Sequence, residues 1–381
     1  MTAANATGAT DAAGDADRRA RVALSRLAEP GDELLGAAVA ERGAVTVLRQ
    51  IRADAFAHPR LADYQARLPQ VDVDRDLDVA HHGAARLIVP TDPEWPDGLA
   101  DLGPAAPLVL WVRGTDLRSL THRAVAVVGS RACTEYGAHV AGELAISLTD
   151  RRWTVVSGGA FGIDAAAHRG ALVVGGSTLA VLACGIDQAY PAAHHQLFGR
   201  IVDAGGAIVT ELHPGAHPTR LRFLQRNRLI AALTRGTVVV EAAVRSGARS
   251  TANHAQKLSR VVMAVPGPVT SAPSAGCHEM VRTEDAALVT CAEEVLDLVG
   301  DLLVDAAPER RGPERPEDHL DPVARRVLEA LPLRRFADPD RLAMLAGLDG
   351  RAVLRALAVL GSSGLAEQRD GEWRRAGTTP A

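Results

Sequence analysis

Aromatic side chains are scarce in this chain of 381 residues, with five Phe, four Trp and three Tyr, so aliphatic residues must build its core. Lysine is nearly absent: 41 of the 42 basic residues are Arg, and the sole lysine is Lys257. The four cysteines, Cys133, Cys184, Cys277 and Cys291, form no CxxC pair, and no His/Cys spacing fits zinc. No metal site or cofactor is expected from them, only the reduced thiols of a cytoplasmic protein. Long apolar runs are missing as well. The longest, 124–128 and 178–183, have the length of a strand and cannot cross a bilayer. No basic segment followed by an apolar one opens the chain, so no signal peptide is expected. These absences argue against secreted, membrane and zinc-finger classes. What is present, 47% hydrophobic and 23% charged residues, is the composition of a globular protein, and the length suggests two or three domains.

The net charge of −4 hides a strong asymmetry. Between Arg123 and Thr270 there are 15 basic residues against 8 acidic, a net of +7 that leaves −11 for the rest. From Thr219 to Arg260 eight Arg and Lys257 face a single acid, Glu241. A basic stripe inside an acidic protein points to a local anion site, against the alternative of an arginine-rich solvated face.

Residues 1–17 are Ala-, Thr-, Gly- and Asp-rich without periodicity and are expected to form a disordered tail. Residues 18–80 carry short helical patterns broken by Pro30-Gly31 and Gly43, which predicts a small helical domain. A core domain over 81–300 opens with a Pro-rich lead-in and then alternates apolar strands with helices. The strands are predicted at 124–128, 153–156, 178–183, 207–210, 237–241 and 261–265, and the helices at 136–148, 163–174, 194–203, 227–233 and 250–258. Continuous apolar strands separated by helices predict an α/β fold: a doubly wound parallel sheet covered on both faces. An acidic, Pro-bearing linker over 301–319 leads to a last unit, 320–376. It has three helical patterns and a hairpin around Asp370-Gly371, the pattern of a winged helix. Ten Arg against eight acids in 320–376 leave DNA contact and protein contact as equal alternatives for this unit.

Doubly wound folds place ligands at the C-terminal ends of their strands, and the loops predicted there share an anion-binding character. Gly129-Ser130-Arg131 follows the first core strand, offering backbone N–H groups, a hydroxyl and a charge. Ser157-Gly158-Gly159-Ala160-Phe161-Gly162 follows the second and opens a helix, without the G-x-G-x-x-G dinucleotide spacing. Phe161 either stacks on a base or packs into the core. Asp164 favours the dipole of the helix it opens, and His168, one turn on, is its expected partner. The segment from Arg220 to Arg228 places four Arg around Phe223 and is read as a loop that clamps a nucleic-acid backbone beside a stacking platform. Ser246 and Gly247 begin another helix. Asp164, Asp187, Glu211 and Glu241 fall on separate strand ends and adjacent loops, so neither a metal site nor a catalytic set is expected.

The runs VAVVGSRACTEYG, VVSGGAFGIDAAAHRGAL, TLAVLACGIDQAYP and FLQRNRLIAALTRGTVVVEAAVRSGARSTANHAQKLSRVVMAVPG resemble the DprA/Smf DNA-processing family over about 124–290. The resemblance implies an extended Rossmann-like fold that binds single-stranded DNA without catalysing a reaction. It also implies dimerisation, an interaction with the RecA recombinase, and RecA loading on incoming strands during natural transformation. By motif, the implied contacts are Gly129, Ser130, Arg131, Ser157, Gly158, Gly159, Arg226, Asn227, Arg228, Ser246 and Gly247. Phe161, Phe223 and Lys257 join them from the stacking and charge arguments. Two features depart from the family pattern: Phe161 stands where many members have a basic residue, and His278 stands where Asn is usual. The rival class is a nucleotide-processing enzyme of the lysine-decarboxylase-like phosphoribohydrolase group. Its catalytic Glu is replaced by His254 in Thr251-Ala252-Asn253-His254.

Overall fold

The computed structural model describes residues 3–301, 305 and 316–377, which fall into two units, one ending at Ala307 and one beginning at Pro308. The first unit opens with five helices: α1 (Ala3–Leu27), α2 (Glu33–Arg42), α3 (Ala44–Arg52), α4 (Leu61–Arg67) and α5 (Val73–His82). Leu24, Leu27, Leu35, Val47, Ile51, Phe56 and Tyr64 fill the core they share. Helix α1 runs back to Ala3 through the stretch expected to be a disordered tail. That stretch is rich in alanine, the residue that costs least to place in a helix, which period-based reasoning does not register.

A nine-stranded sheet follows: β1 (Arg86–Ile88), β2 (Leu110–Gly114), β3 (Ala124–Val128), β4 (Thr154–Ser157), β5 (Thr178–Val181), β6 (Ala207–Thr210), β7 (Gly236–Val239), β8 (Val261–Ala264) and β9 (Ala287–Leu288). Its order is β1-β2-β6-β5-β4-β3-β7-β8-β9. The seven strands from β6 to β9 are parallel; six of them fall on the predicted apolar runs, and β9 adds a short seventh. The Pro-rich lead-in contributes β1 and β2, which continue the sheet antiparallel beyond β6.

Helices cover both faces: α6 (Leu117–Thr121), α7 (Glu135–Asp150), α8 (Ile163–Val173), α9 (His195–Asp203), α10 (Arg220–Ala232), α11 (Gly247–Lys257), α12 (Ala275–Thr283) and α13 (Ala292–Val299). Alternation along β3 shows how the faces are sorted. Val125 and Val127 pack with α7, α8 and α13, whereas Ala124, Ala126 and Val128 pack with α10 and α11. Because β4 and β7 flank β3, the chain leaves the ends of β3 and β7 toward opposite sides, and a crevice opens between them.

The second unit holds α14 (Pro322–Ala330), α15 (Pro339–Ala346), α16 (Gly350–Ser362) and a hairpin of β10 (Ala366–Arg369) and β11 (Glu372–Arg375). Positive φ at both Asp370 and Gly371 gives the tight turn that an Asp-Gly pair favours. The 301–319 linker lies largely outside the described residues. Among the described residues, no helix is long and apolar enough to cross a membrane.

His168 is fully buried, and its partner is not Asp164: Nδ1 lies 2.8 Å from the Thr178 hydroxyl, which itself donates to the carbonyl of Val155. The ring is therefore neutral, with its proton on Nδ1 and no partner for Nε2. Burial, helped by His194 and the Arg226 guanidinium nearby, pushes its pKa down to about 3. The unfolded chain takes up this proton near pH 6.5 and the folded one does not, so stability is complete above that pH and falls as the solution is acidified toward 3. Between pH 6.5 and 5 the loss amounts to about 2 kcal/mol. Urea unfolding of the wild type and of His168→Gln across this range is expected to show that slope in the wild type and its removal in the variant.

Candidate nucleic-acid interface

A pocket of about 660 Å³ occupies the crevice between β3 and β7. Gly129, Ser130 and Arg131 form one wall, α10 another, and the start of α11 a third, with Ala160 and Tyr190 closing the side. The loop after β3 is held at both ends. The Ser130 N–H donates to the carbonyl of Glu241 at 2.7 Å, and the Ser130 carbonyl accepts from Ile163. Gly162, at φ +76°, approaches so closely that a Cβ there would sit 2.2 Å from that same carbonyl.

The segment 220–228, read from sequence as a loop, is the first two turns of α10, capped by Thr219. Its arginines therefore point in different directions. Arg220, Phe223, Leu224 and Asn227 face the pocket. Arg222 turns to Glu29 on the loop after α1, at 3.1 Å. Arg228 is buried against Glu211 at 2.5 Å, away from the pocket. Arg226 lies 95% buried in the pocket floor, where one guanidinium nitrogen donates to the carbonyl of Gly158 at 2.7 Å and to that of Val181. Desolvation lowers its pKa to about 10, and the charge of Asp164 works against that shift. Asp164 is buried too, and its carboxylate accepts from the N–H groups of Gly158 and Ala160 at 3.1 and 3.3 Å. Burial raises its pKa, opposed first by Arg226.

The aromatic platform is real geometry. The guanidinium of Arg131 lies 4.4 Å from the centre of the Phe223 ring, and Tyr190 lies 5.6 Å from it on another side. Phe161 is 49% exposed, which settles the choice left open above against core packing. It stands beside pocket-lining Ala160, edge-on to His194 at 4.8 Å.

The other expected contacts divide. Gly129, Ser130, Asn227, Ser246 and Gly247 line the pocket, with the Asn227 amide 3.3 Å from the carbonyl of Gly247. Ser157 is fully buried and its hydroxyl donates to Val127, so it supports the strand from below. Gly158 and Gly159 lie under the pocket, and a Cβ on Gly158 would sit 2.2 Å from the Arg226 guanidinium. Lys257 ends α11 while the pocket sits at its start, about 15 Å away at the rise of an α-helix. Membership of the basic stripe carried no information about which end of the helix it occupied.

Among the lining residues outside the expected set, two carry polar chemistry of their own at the mouth. Tyr190 belongs to one of the quoted motifs, and Arg245 directly precedes Ser246. Arg131, Arg220 and Arg245 are all exposed and have no acidic partner among the described residues, Glu135 included. The acids nearby are engaged: Glu241 accepts from the N–H and the hydroxyl of Thr134 at 2.9 and 2.6 Å, and Asp187 accepts from Gly215 at 2.8 Å. Helix α11 begins at the pocket without a side-chain cap, which leaves its first N–H groups available to an anion.

A family model described as DNA recombination-mediator protein A matches residues 86–300, over half of the sequence. The chain belongs to that family. A Mycobacterium tuberculosis protein described as a DNA processing protein DprA is 46% identical over 96% of this chain and 97% of its own length. Among solved structures, DprA from Streptococcus pneumoniae superposes with a TM-score of 0.62 at 34% identity, covering 72% of this chain and 95% of the other. DprA from Helicobacter pylori, described with a single-stranded DNA binding mode, gives a TM-score of 0.50 at 26% identity, over 56% of this chain and 94% of the other. In this member of the DprA family the pocket's cations fall into two kinds, one built into the floor and one free at the mouth.

Truncating a floor cation is expected to cost stability. Arg226→Ala strands two carbonyls and leaves Asp164 without its nearest opposite charge, a loss of about 3 kcal/mol. Arg131→Ala removes only an exposed side chain and is expected to stay within about 0.5 kcal/mol of wild type. Denaturant midpoints of the two variants measure the difference.

Proposed function

We propose that this DprA-family chain is a single-stranded DNA-binding recombination mediator that protects incoming strands and loads the RecA recombinase on them during DNA uptake. In this proposal it works in the cytoplasm as a homodimer and catalyses no reaction, and the chain divides into a tail, a helical domain, a Rossmann-like core, a linker and a winged helix. The observation that carries the reading is the pocket at the β3–β7 crevice: three unpaired arginines surround the Phe223 and Tyr190 rings at the uncapped start of α11. Free guanidinium groups and helix N–H groups recognise phosphates without regard to sequence, and the rings accept any base face. A recess holding aromatic rings reaches bases only when they are unpaired. Description of the H. pylori relative by its single-stranded DNA binding supports the same ligand here.

The test is a salt titration comparing single-stranded with duplex DNA. Single strands are expected to bind more tightly, with a slope of log affinity on log salt of about −2, the value for three neutralised phosphates. Arg131→Ala is expected to lose roughly 1.5–3 kcal/mol of binding, because its stacking on Phe223 holds the guanidinium in place before a phosphate arrives. Arg220→Ala, at the exposed first turn of α10, is expected to lose less. Equal affinity for duplex and single strand with a flat salt response overturns the proposal. So does full binding by Arg131→Ala, or turnover of a nucleotide or nucleic acid that persists in highly purified protein and vanishes in Glu241→Gln.

A further inference from the structure

The second unit carries a surface that the pocket chemistry does not use. Helices α15 and α16 pack on each other through Leu342, Ala346, Val353 and Leu357, and both turn large apolar side chains outward. On α15, Met344 is 81% and Leu345 64% exposed, and on α16 Leu354 is 56% and Val359 45% exposed. In helical spacing with them stand Arg341, then Arg351 and Arg355, all exposed and without an ion-pair partner among the described residues. Met344 and Leu345 stand side by side on α15, and Leu354 and Val359 flank Arg351 and Arg355 on α16; large apolar side chains grouped so on neighbouring helices mark an interaction surface, whereas a soluble protein tolerates single exposed Leu or Met residues anywhere.

Two properties decide the kind of partner. Between 351 and 359, three of the five side chains that α16 exposes, Leu354, Ala358 and Val359, are apolar and offer base edges no hydrogen bond, leaving only Arg351 and Arg355 for that contact. Residues 316–377 also hold ten Arg against ten acids, which provides no general attraction to a phosphate backbone. Unpaired arginines beside an apolar row complement instead an amphipathic helix whose apolar stripe is flanked by carboxylates. Met344 suits such a surface, because its flexible thioether adapts to the partner's side chains.

We infer that the α15–α16 face docks an acidic amphipathic helix of another protein, with Met344, Leu345 and Leu354 as apolar anchors and Arg341, Arg351 and Arg355 pairing with its carboxylates. The inference is independent of the DNA pocket.

The experiment uses the full chain and a fluorescein-labelled synthetic helix of about 18 residues, or five turns. Leucines follow i, i+3, i+4, i+7 spacing and glutamates fill the rest; the control has the same composition with leucines scattered around the helix. The patterned peptide is expected to bind in a fluorescence-anisotropy titration and the control is not. Met344→Asp and Leu354→Asp are each expected to weaken it about tenfold or more, and Arg355→Glu to weaken it while flattening its salt dependence. Affinity for single-stranded DNA and the melting temperature are expected to stay at wild-type values in all three, since these side chains are exposed. Three outcomes overturn the inference: equal binding of both peptides or of neither, peptide binding unchanged by the substitutions, or loss of duplex-DNA binding in Leu354→Asp with the peptide unaffected. Sedimentation showing that Met344→Asp disrupts self-association, with no patterned-peptide binding by wild type, overturns it in favour of a contact between copies.

Discussion

A buried guanidinium organises the core unit. Arg226 reaches from α10 to the carbonyls of Gly158 and Val181, joining the helix to the loop after β4 and to the end of β5. A cation so deeply buried needs partners: two carbonyls hold one guanidinium nitrogen and the charge of Asp164 lies nearby, while Nε has no hydrogen-bond partner among the described residues. Once this residue is placed, helical geometry fixes its neighbours. Phe223 and Asn227 then face the crevice and Arg228 turns away to Glu211, while Arg222, one turn before Arg226 on the same side, is drawn off to Glu29. The pocket is thus a consequence of how one helix is bolted down.

That constraint explains why net charge is a poor guide to this molecule. The basic stripe holds nine cations between Thr219 and Arg260, yet most are committed to the fold. Arg222, Arg228, Arg235, Arg249 and Arg260 pair with Glu29, Glu211, Asp301, Glu279 with Glu284, and Asp101. Several of those acids come from outside the stripe, so the acidic remainder of the chain neutralises part of it. Positive charge at the pocket comes from Arg131, Arg220 and Arg245, which no carboxylate reaches among the described residues, and from the open start of α11. Three guanidinium groups left free by the fold thus meet at one recess.

The sequence made the parallel strands legible because a strand buried on both faces writes an unbroken apolar run, as 124–128 does. The lead-in strands escaped because β1 has three residues and both lie among prolines, where the period is too short to recognise. Helix α10 was half hidden for a different reason. It is surrounded by polar partners, so its first two turns show no apolar stripe, and four arginines in nine residues imitate a solvated loop. Charge density along the chain also set Arg228 and Lys257 among the expected contacts, although Glu211 has taken the first and the second ends α11 far from the pocket at its start. The place of Gly129, Ser130 and Arg131 at the crevice was legible because a strand end fixes a short loop in space without help from distant residues. Arg245 needed the structure, which shows no acidic partner for it among the described residues.

Arginine therefore takes its meaning here from its neighbours. At the β3–β7 crevice, unpaired guanidinium groups stand among rings, hydroxyls and helix N–H groups, every one of which suits a phosphate or a base. On α15 and α16 the unpaired guanidinium groups stand among methionine and leucine, which offer a nucleic acid nothing but an apolar contact and offer an amphipathic helix its whole stripe. The planar fork that pairs with a phosphate pairs equally well with a carboxylate. Discrimination between the two ligands must then come from the remaining surface, and the two units supply opposite surfaces. The scarcity of aromatics makes the crevice informative: of the twelve in the chain, Tyr190 and Phe223 line that one recess and half-exposed Phe161 stands beside it.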